Sequence, residues 1–477
     1  MKKEAMRMER VTYISQDMKL LDNFNFQLFQ GEIMGLMPMD SIGLDAFITL
    51  TQFNNPILYG YVYLNEELVN SCLADVHTVN NVYYISHESN LVHTLSAGDN
   101  VFMLRRGYRG IYLKNRILEQ QLRMILQELN IEMDVTKSLD KMTLFEKYLL
   151  EIVKGVISKA TVIIIRSLGS LVNDWDLKKL MKVIQYYKKQ GFSFIYISVD
   201  QEEIADYCDR VSFMSEGRIK KVMDGRDFST DSISRISPSH FQNRWRVADF
   251  EKNDAPSVCE FHKVSYHNIK NLSFSVKKGE CFVLADVSNR IQGDIVELML
   301  GKSPYTGQVI WGKGKRGKEK KRAVSVIMEN PLQTMIYPEM SYSSNLCLNI
   351  DHKIGRVWRD KFLRDNITKE VLEGEEIDPE IPVKYLSNRQ KYQLVYASVL
   401  LQHPDVVFCI NPFLNVDIDL MDNIQKWIQK LLQAGIAVVI TTVNYHPILP
   451  VTDRLMILGE RMENILFEKK EVQGMIY

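Results

Sequence analysis

Between Gly31 and Leu50 the sequence reads GEIMGLMPMDSIGLDAFITL: a short apolar run, a break, then apolar residues at helical spacing. The run Ile33 to Met37 predicts a buried strand, Pro38 to Ala46 a loop, and Ala46, Phe47 and Leu50 one face of a helix packed on a sheet. A loop between such a strand and helix is where phosphates are cradled. That task needs glycines that let backbone N–H groups turn inward, a Lys to meet the phosphate charge, and a Ser or Thr to hold Mg²⁺. Here Asp40 and Ser41 lead into a single glycine, Gly43, while the Lys position reads Leu44 and the hydroxyl position Asp45. The scaffold of a nucleotide site is therefore expected without its chemistry, and with a carboxylate where a cation is required.

At 477 residues the chain exceeds what one core holds and fits two domains of ordinary size. Hydrophobic residues make up 46% and charged residues 25%, as in a soluble globular protein. The 59 basic residues balance the 59 acidic ones, which argues against a nucleic-acid partner, because such a protein carries a basic surplus on at least one domain. Cys72, Cys208, Cys259, Cys281, Cys347 and Cys409 share no CxxC spacing, so buried free thiols in a reducing compartment are expected, with no metal site. The first residues lack the apolar stretch of a signal peptide, and no run reaches the roughly 18 residues of a membrane span. The expected location is cytoplasmic, with any membrane contact made through a partner.

Along the chain, strand and helix signals alternate. Strands are expected within Val11 to Phe29, at Tyr59 to Leu64 and at Val82 to Ser86, then helices over Ile117 to Leu129 and from Thr143 onward. The continuous apolar runs Val162 to Ile165 and Phe194 to Ile197 fit parallel strands buried on both faces, joined by a helix around Leu177 to Lys189. Ser229 to Pro256 is poor in apolar periodicity and reads as a linker. After it the pattern restarts: Gly279-Glu280 mirrors Gly31-Glu32, Ser341 to Leu346 mirrors Ser96 to Val101, and Asp453-Arg454-Leu455 mirrors Asp209-Arg210-Val211. A duplication of domain length explains this most simply. The basic run at 313–322, KGKRGKEKKR, reads as a solvated hairpin loop between Val309-Ile310-Trp311 and Val324-Ser325-Val326, in preference to a membrane or nucleic-acid contact.

This order of elements resembles the ATP-binding cassette (ABC) family, in particular the tandem ATP-binding subunits of bacterial ribose, galactose and xylose importers. The resemblance covers nearly the whole chain. It rests on the paired Gly-Glu strand starts, the segment LSAGDNVF, Leu386-Ser387, Pro404-Asp405-Val406-Val407 and the paired Asp-Arg strand ends. It implies an α/β fold of two tandem ABC-type, P-loop NTPase-like cassettes, each a mixed sheet core with a helical insert, near 101–141 and 347–383. The domains would be 1–228, a linker at 229–256, and 257–477. Such subunits pair two cassettes face to face, sandwich ATP between the phosphate loop of one and the signature of the other, and drive a membrane permease.

Carried over position by position, the resemblance implies a degenerate site. In the first cassette, Asp40, Ser41, Gly43, Leu44 and Asp45 occupy the phosphate loop, and the Walker B strand ends in Arg166-Ser167 in place of an Asp and a Glu. His87 stands at the Q-loop position, Val199 at the switch-histidine position, and the signature reads Met142 to Glu146. In the second cassette Ser288, Asn289, Gln292 and Gly293 lie in the phosphate loop, Ile410-Asn411 at Walker B and Thr442 at the switch, while Pro412 and Asp417 remain. Arg166 reads either as a stand-in for the metal or as the partner of Asp45 in a salt bridge, the second being preferred. No catalytic or metal-binding residue is assigned, ATP is expected to bind weakly at most, and Mg²⁺ is doubtful. A permease or regulatory protein is the implied partner, docking at Leu91, Val92 and Leu95. The competing classes are a working sugar-import ATPase with an unusual site and a soluble ABC-type regulator.

Overall fold

In the computed structural model the described residues are 2–15, 18–73, 78–86, 89–104, 115–228, 255–287, 289, 291–300, 304–312, 324–348, 366–369, 371–372, 377–458 and 464–474. His87, Ser288, the basic run and all but the last two residues of the expected linker lie outside them. The chain forms two compact units, Met1–Phe241 with Asn415–Ile418, and Gln242–Leu414 with Asp419–Tyr477.

The first unit opens with an antiparallel hairpin, β1 (Glu4–Ser15) and β2 (Met18–Phe29), followed by β3 (Ile33–Pro38) and α1 (Leu44–Gln52). Next come β4 (Tyr59–Leu64), β5 (Glu67–Ser71), β6 (Val82–Ile85), α2 (Ala97–Phe102), α3 (Asn115–Glu128) and α4 (Leu144–Ile157). The unit continues with β7 (Val162–Arg166), α5 (Asp174–Lys189), β8 (Ser193–Ile197), α6 (Gln201–Tyr207), β9 (Arg210–Ser215) and β10 (Arg218–Asp224). Two sheets result: an antiparallel one in the order β2-β1-β4-β5, and a mixed one in the order β10-β9-β3-β8-β7-β6. In the mixed sheet β9, β3, β8, β7 and β6 run parallel and β10 closes the edge antiparallel. Every residue of β3 is buried, as expected of a central parallel strand covered on both faces.

The second unit repeats the plan. It contains β11 (Ser257–Tyr266), β12 (Ile269–Lys277), β13 (Cys281–Asp286), α7 (Gln292–Leu300), β14 (Thr306–Trp311), β15 (Val324–Ile327), α8 (Pro331–Thr334) and α9 (Tyr342–Cys347). Then follow α10 (Asn388–Gln402), β16 (Val406–Ile410), α11 (Ile418–Gln433), β17 (Ala437–Thr442), β18 (Arg454–Leu458), β19 (Asn464–Phe467) and α12 (Lys469–Gly474). Its sheets have the orders β12-β11-β14 and β15-β16-β17-β13-β18-β19. Strand for strand, the larger sheet matches that of the first unit, which gives the sequence duplication its structural meaning. One expectation is corrected here: β14 pairs with β11 and β15 with β16, so the strands flanking the basic run belong to different sheets and make no hairpin.

In each unit a core of apolar side chains from both sheets and the helix after the phosphate loop holds the layers together. Phe47 of α1 packs on Phe24 and Phe26 of β2 at ring-centroid distances of 5.3 and 4.9 Å. In the second unit Phe274 lies between Phe261 and Phe282, at 4.4 and 5.0 Å. Fully burying one such ring stabilises by about 1.5–3 kcal/mol.

The repeated Gly-Glu and Asp-Arg pairs have a common structural cause. Gly31 and Gly279 both turn the chain at φ 67°, a conformation that favours glycine. The following Glu32 receives two bonds from the Arg210 guanidinium, which also donates to the Gln27 carbonyl and stacks 4.8 Å from the Phe29 ring. Glu280, Arg454 and the Ser275 carbonyl repeat this clamp. Asp209 and Asp453 each accept the first strand N–H, from Ile33 and Cys281, at 2.9 Å. These pairs fasten the hairpin to the larger sheet at the beginnings of β9 and β18, and not at strand ends as the sequence suggested.

Candidate functional site

In the first unit β3 delivers the chain into a loop that the protein's own carboxylate holds. Asp40 accepts from the Ile42 amide at 2.9 Å, and its other oxygen accepts from Ser215 Oγ at 2.6 Å and the Glu216 amide at 2.8 Å. A loop N–H that an anion would take is thus already satisfied. Ser41 points to solvent. Gly43 sits at φ 84° just before α1, and a Cβ there would lie 2.3 Å from the Leu20 carbonyl oxygen, so the loop is pressed against β2. Leu44 is 4% exposed and joins the core, away from the loop mouth. Asp45 lies in the first turn of α1, where the helix dipole favours a negative charge, and accepts from Arg166 Nη1 at 3.0 Å. The Asp45 side chain is largely exposed, so this pair contributes at most about 1 kcal/mol. Ser167, next in the chain, takes a left-handed backbone at φ 54° and donates its N–H to Ile197.

The second unit arrives at a similar arrangement, with an amide pair, Gln292 and Asn411, in place of the ion pair of Asp45 and Arg166. Asp286, 1% exposed, accepts from the Ile291 amide at 2.8 Å, as Asp40 accepts from Ile42. Gln292 is buried and exchanges two hydrogen bonds with Asn411, at 3.2 and 2.7 Å; Asn411 also donates to Glu329 at 2.9 Å. Asn411 has the left-handed backbone of Ser167, with its N–H on Thr441. Asn289 is left-handed at φ 49°, and Gly293 is exposed with open space where a Cβ would stand. The structure therefore brings Gln292 and Asn411 together and adds Glu329, which sequence reasoning did not include.

The signature segments begin helices. Thr143 caps α4 and Ser387 caps α10, each in a reciprocal capping box, with Glu146 and Gln390 respectively. At the switch positions Val199 is half-buried, and the Thr442 hydroxyl donates to the Asn444 carbonyl at 2.8 Å. Asp417 is buried.

Beside Val199 lies a group with no sequence signal, Glu203 of α6. It is fully enclosed, accepts from Tyr196 Oη at 2.7 Å and Ser198 Oγ at 2.9 Å, and fills the space where a Cβ on Gly169 would stand. Burial, reinforced by the charge of Asp200, pushes its carboxyl up from an ordinary 4.5 to about 8. The folded state therefore holds this proton more tightly than the unfolded state. That contribution to stability is complete below about 4.5 and lost as pH rises through about 8. Glu203→Gln should melt increasingly above the wild type as pH is raised across that window; a constant difference in melting temperature would contradict this.

Between β6 and α2, a turn is locked by one buried side chain. Asn100 Oδ1 accepts from the Val92 amide, and its Nδ2 donates to the carbonyls of Val92, Leu95 and Ser96. Asn345 makes the corresponding four bonds to Tyr337, Met340 and Ser341. The repeated Ser-x-x-x-Asn spacing was the available signal for this pair. Of the three docking residues expected from sequence, Val92 is exposed, Leu95 is half-buried, and Leu91 is only 5% exposed; Leu91 packs inward and offers no surface. Glu151 of α4 anchors the same segment by accepting from Ser89 Oγ, the Asn90 amide and Tyr83 Oη.

No protein-family model matches the chain. Among curated proteins, the ribose import ATP-binding protein RbsA of Geobacillus kaustophilus is 23% identical over 469 residues, covering 94% of this chain and 93% of the relative. The galactose/methyl galactoside import ATP-binding protein MglA of Clostridium perfringens is 22% identical over 463 residues, covering 93% and 88%. Among solved structures, an archaeal ribosome recycling factor in complex with a ribosomal stalk protein superposes with a TM-score of 0.61 at 12% identity, over 96% of this chain and 89% of that one. That likeness is one of fold. Among the described residues no helix is long and apolar enough to cross a membrane. By fold the chain is a pair of tandem cassettes of the ATP-binding cassette type, and in sequence it is similar over nearly its whole length to bacterial ribose and galactose import ATP-binding proteins.

Proposed function

We propose that this chain is a sugar-importer-type ATP-binding subunit without phosphate chemistry, serving as a structural or regulatory partner of a membrane permease from the cytoplasmic side. The observation that carries this reading is the bonding of nucleotide-site positions to one another: Asp45 to Arg166 in one cassette, Gln292 to Asn411 and Glu329 in the other. Phosphoryl transfer rests on positioning and on Lys and Mg²⁺ to stabilise charge, and losing one such electrostatic group commonly costs about 10²–10³ in rate. Leu44 and Gln292 supply no cation, Arg166 and Ile410 no carboxylate for a metal, so the donor set does not fit Mg-ATP.

The surface for the partner is the locked turn before α2, where Val92 and Leu95 stand, and its counterpart before α9. Its framework depends on Asn100, Asn345 and Glu151, none of which touches the phosphate loop, so docking does not require nucleotide chemistry. Val92→Asp should abolish recovery of the chain with membranes from its own cells while leaving its circular dichroism and melting temperature unchanged. Wild-type protein that is never recovered with membranes would defeat the docking reading.

A further inference from the structure

The outer face of the antiparallel sheet in the first unit is aromatic. Burial alternates along β4, so that Gly60, Val62 and Leu64 are buried while Tyr59, Tyr61 and Tyr63 stand on the opposite face. Tyr59 is 52% and Tyr61 40% exposed, and Leu68 of β5, paired with Tyr63, is 54% exposed. The rings of Tyr61 and Tyr63 lie 6.4 Å apart. On β1 their cross-strand neighbours are Thr12, Glu9 and Arg7, and the Arg7 guanidinium lies 4.1 Å from the Tyr63 ring.

The fold does not require these rings. In the second unit β11 and β14 repeat β1 and β4 in register: Glu260 pairs with Ile310, His262 with Gln308 and Ser265 with Thr306, where the first unit pairs Arg7 with Tyr63, Glu9 with Tyr61 and Thr12 with Tyr59. Gly60 and Gly307 fix the correspondence, since both take a positive φ, 105° and 89°, close against the carbonyls of Arg10 and Lys263. At the places of Tyr59 and Tyr61 the second unit carries Thr306 and Gln308, both exposed. One sheet plan thus stands with a polar outer face in one unit and a tyrosine face in the other. An exposed aromatic patch that the fold can do without marks a contact surface.

The chemistry of the face identifies its occupant. Rings stack on rings, and each tyrosine hydroxyl both donates and accepts. Both charges are present, Arg7 and the exposed Arg10 with Glu4 and Glu9, while Glu66 and Glu67 bound the face at the hairpin turn. Arg7 is already bonded to Glu4 and Glu9, and Gln27 to Glu4, so covering this group strands no carboxylate without a donor. Neither β1 nor β4 holds a lysine, the cation depleted from protein contacts, whereas tyrosine and arginine are enriched there. A two-fold contact between identical surfaces needs a patch that carries both halves of each interaction. With 59 basic and 59 acidic residues, no net charge holds two copies apart. We infer that this face binds the same face of a second copy of the chain, the two sheets packing about 10 Å apart around a two-fold axis, to give a dimer through the first cassette.

Sedimentation velocity of the full chain over a range of concentrations tests this, run beside the variant Tyr59→Thr with Tyr61→Gln. The variant gives the first unit the residues that the second carries in the same register, so its circular dichroism should be retained; Tyr61→Gln alone serves if the double variant does not fold. The wild type is expected to dimerise with a Kd below about 100 µM, and the variant at least about tenfold more weakly, equivalent to about 1.4 kcal/mol. A wild type that remains monomeric at about 100 µM would overturn the inference. A variant whose Kd stays within about tenfold of wild type would overturn it too, because the copies would then associate through another surface.

Discussion

Replacing Glu151 by alanine is expected to destabilise the first cassette by about 3–5 kcal/mol, the cost of breaking a buried charged network by removing one member. Glu151 is 1% exposed and accepts from Tyr83 Oη, Ser89 Oγ at 3.0 Å and the Asn90 amide at 2.5 Å. One helical turn away, Lys154 is 3% exposed and donates to the Asn90 carbonyl at 3.2 Å. Burial lowers the Lys154 ammonium from its ordinary range, and the Glu151 charge works against that shift. Without the carboxylate, the lysine must either lose its proton or stay charged and uncompensated, and three donors lose their acceptor. Glu151→Gln keeps an acceptor of the same shape and should lose less stability than alanine does. Urea unfolding of both variants measures the effect, and a loss below about 1 kcal/mol for Glu151→Ala would show that the network is not a support. Membrane recovery should fall with the same variant, because Asn90 leads directly into the turn proposed to dock the partner.

Local signals in the sequence reached far into the fold. The apolar runs within β3, β7 and β8 show no alternation of apolar and polar residues, as a strand covered on both faces requires, and the helix expected from Thr143 onward is α4. The pairing of strands was less accessible. β14 and β15 sit close in sequence and read as a hairpin, yet they pair with β11 and β16 in different sheets. An edge strand such as β10 carries mostly exposed residues and leaves little periodicity to read.

At the site, residue types were legible and their bonds were mostly not. The pairing of Asp45 with Arg166 could be anticipated from charge alone, because an unpaired carboxylate and guanidinium at the ends of neighbouring elements seek each other. Glu329 could not, since nothing in the sequence tells that a glutamate after β15 will meet Asn411. Glu203 was hidden for a different reason. A glutamate in a short helix looks solvated, and only the enclosure by Tyr196, Ser198 and Gly169 makes it a buried acid.

The central claim, a cassette pair whose phosphate sites are closed by their own side chains, is tested most directly by the melting temperature of the whole chain with and without millimolar Mg-ATP. A ligand present at 100 times its Kd stabilises the folded state by about 2.7 kcal/mol. For units of this size that corresponds to a rise of roughly 5–10 °C. The loops here engage their own N–H groups through Asp40 and Asp286, bury Leu44 in the core and pair Gln292 with Asn411. The account predicts no rise beyond about 1 °C, with or without Mg²⁺. A Mg²⁺-dependent rise of several degrees would contradict it, and would return the chain to the working ATPases it resembles.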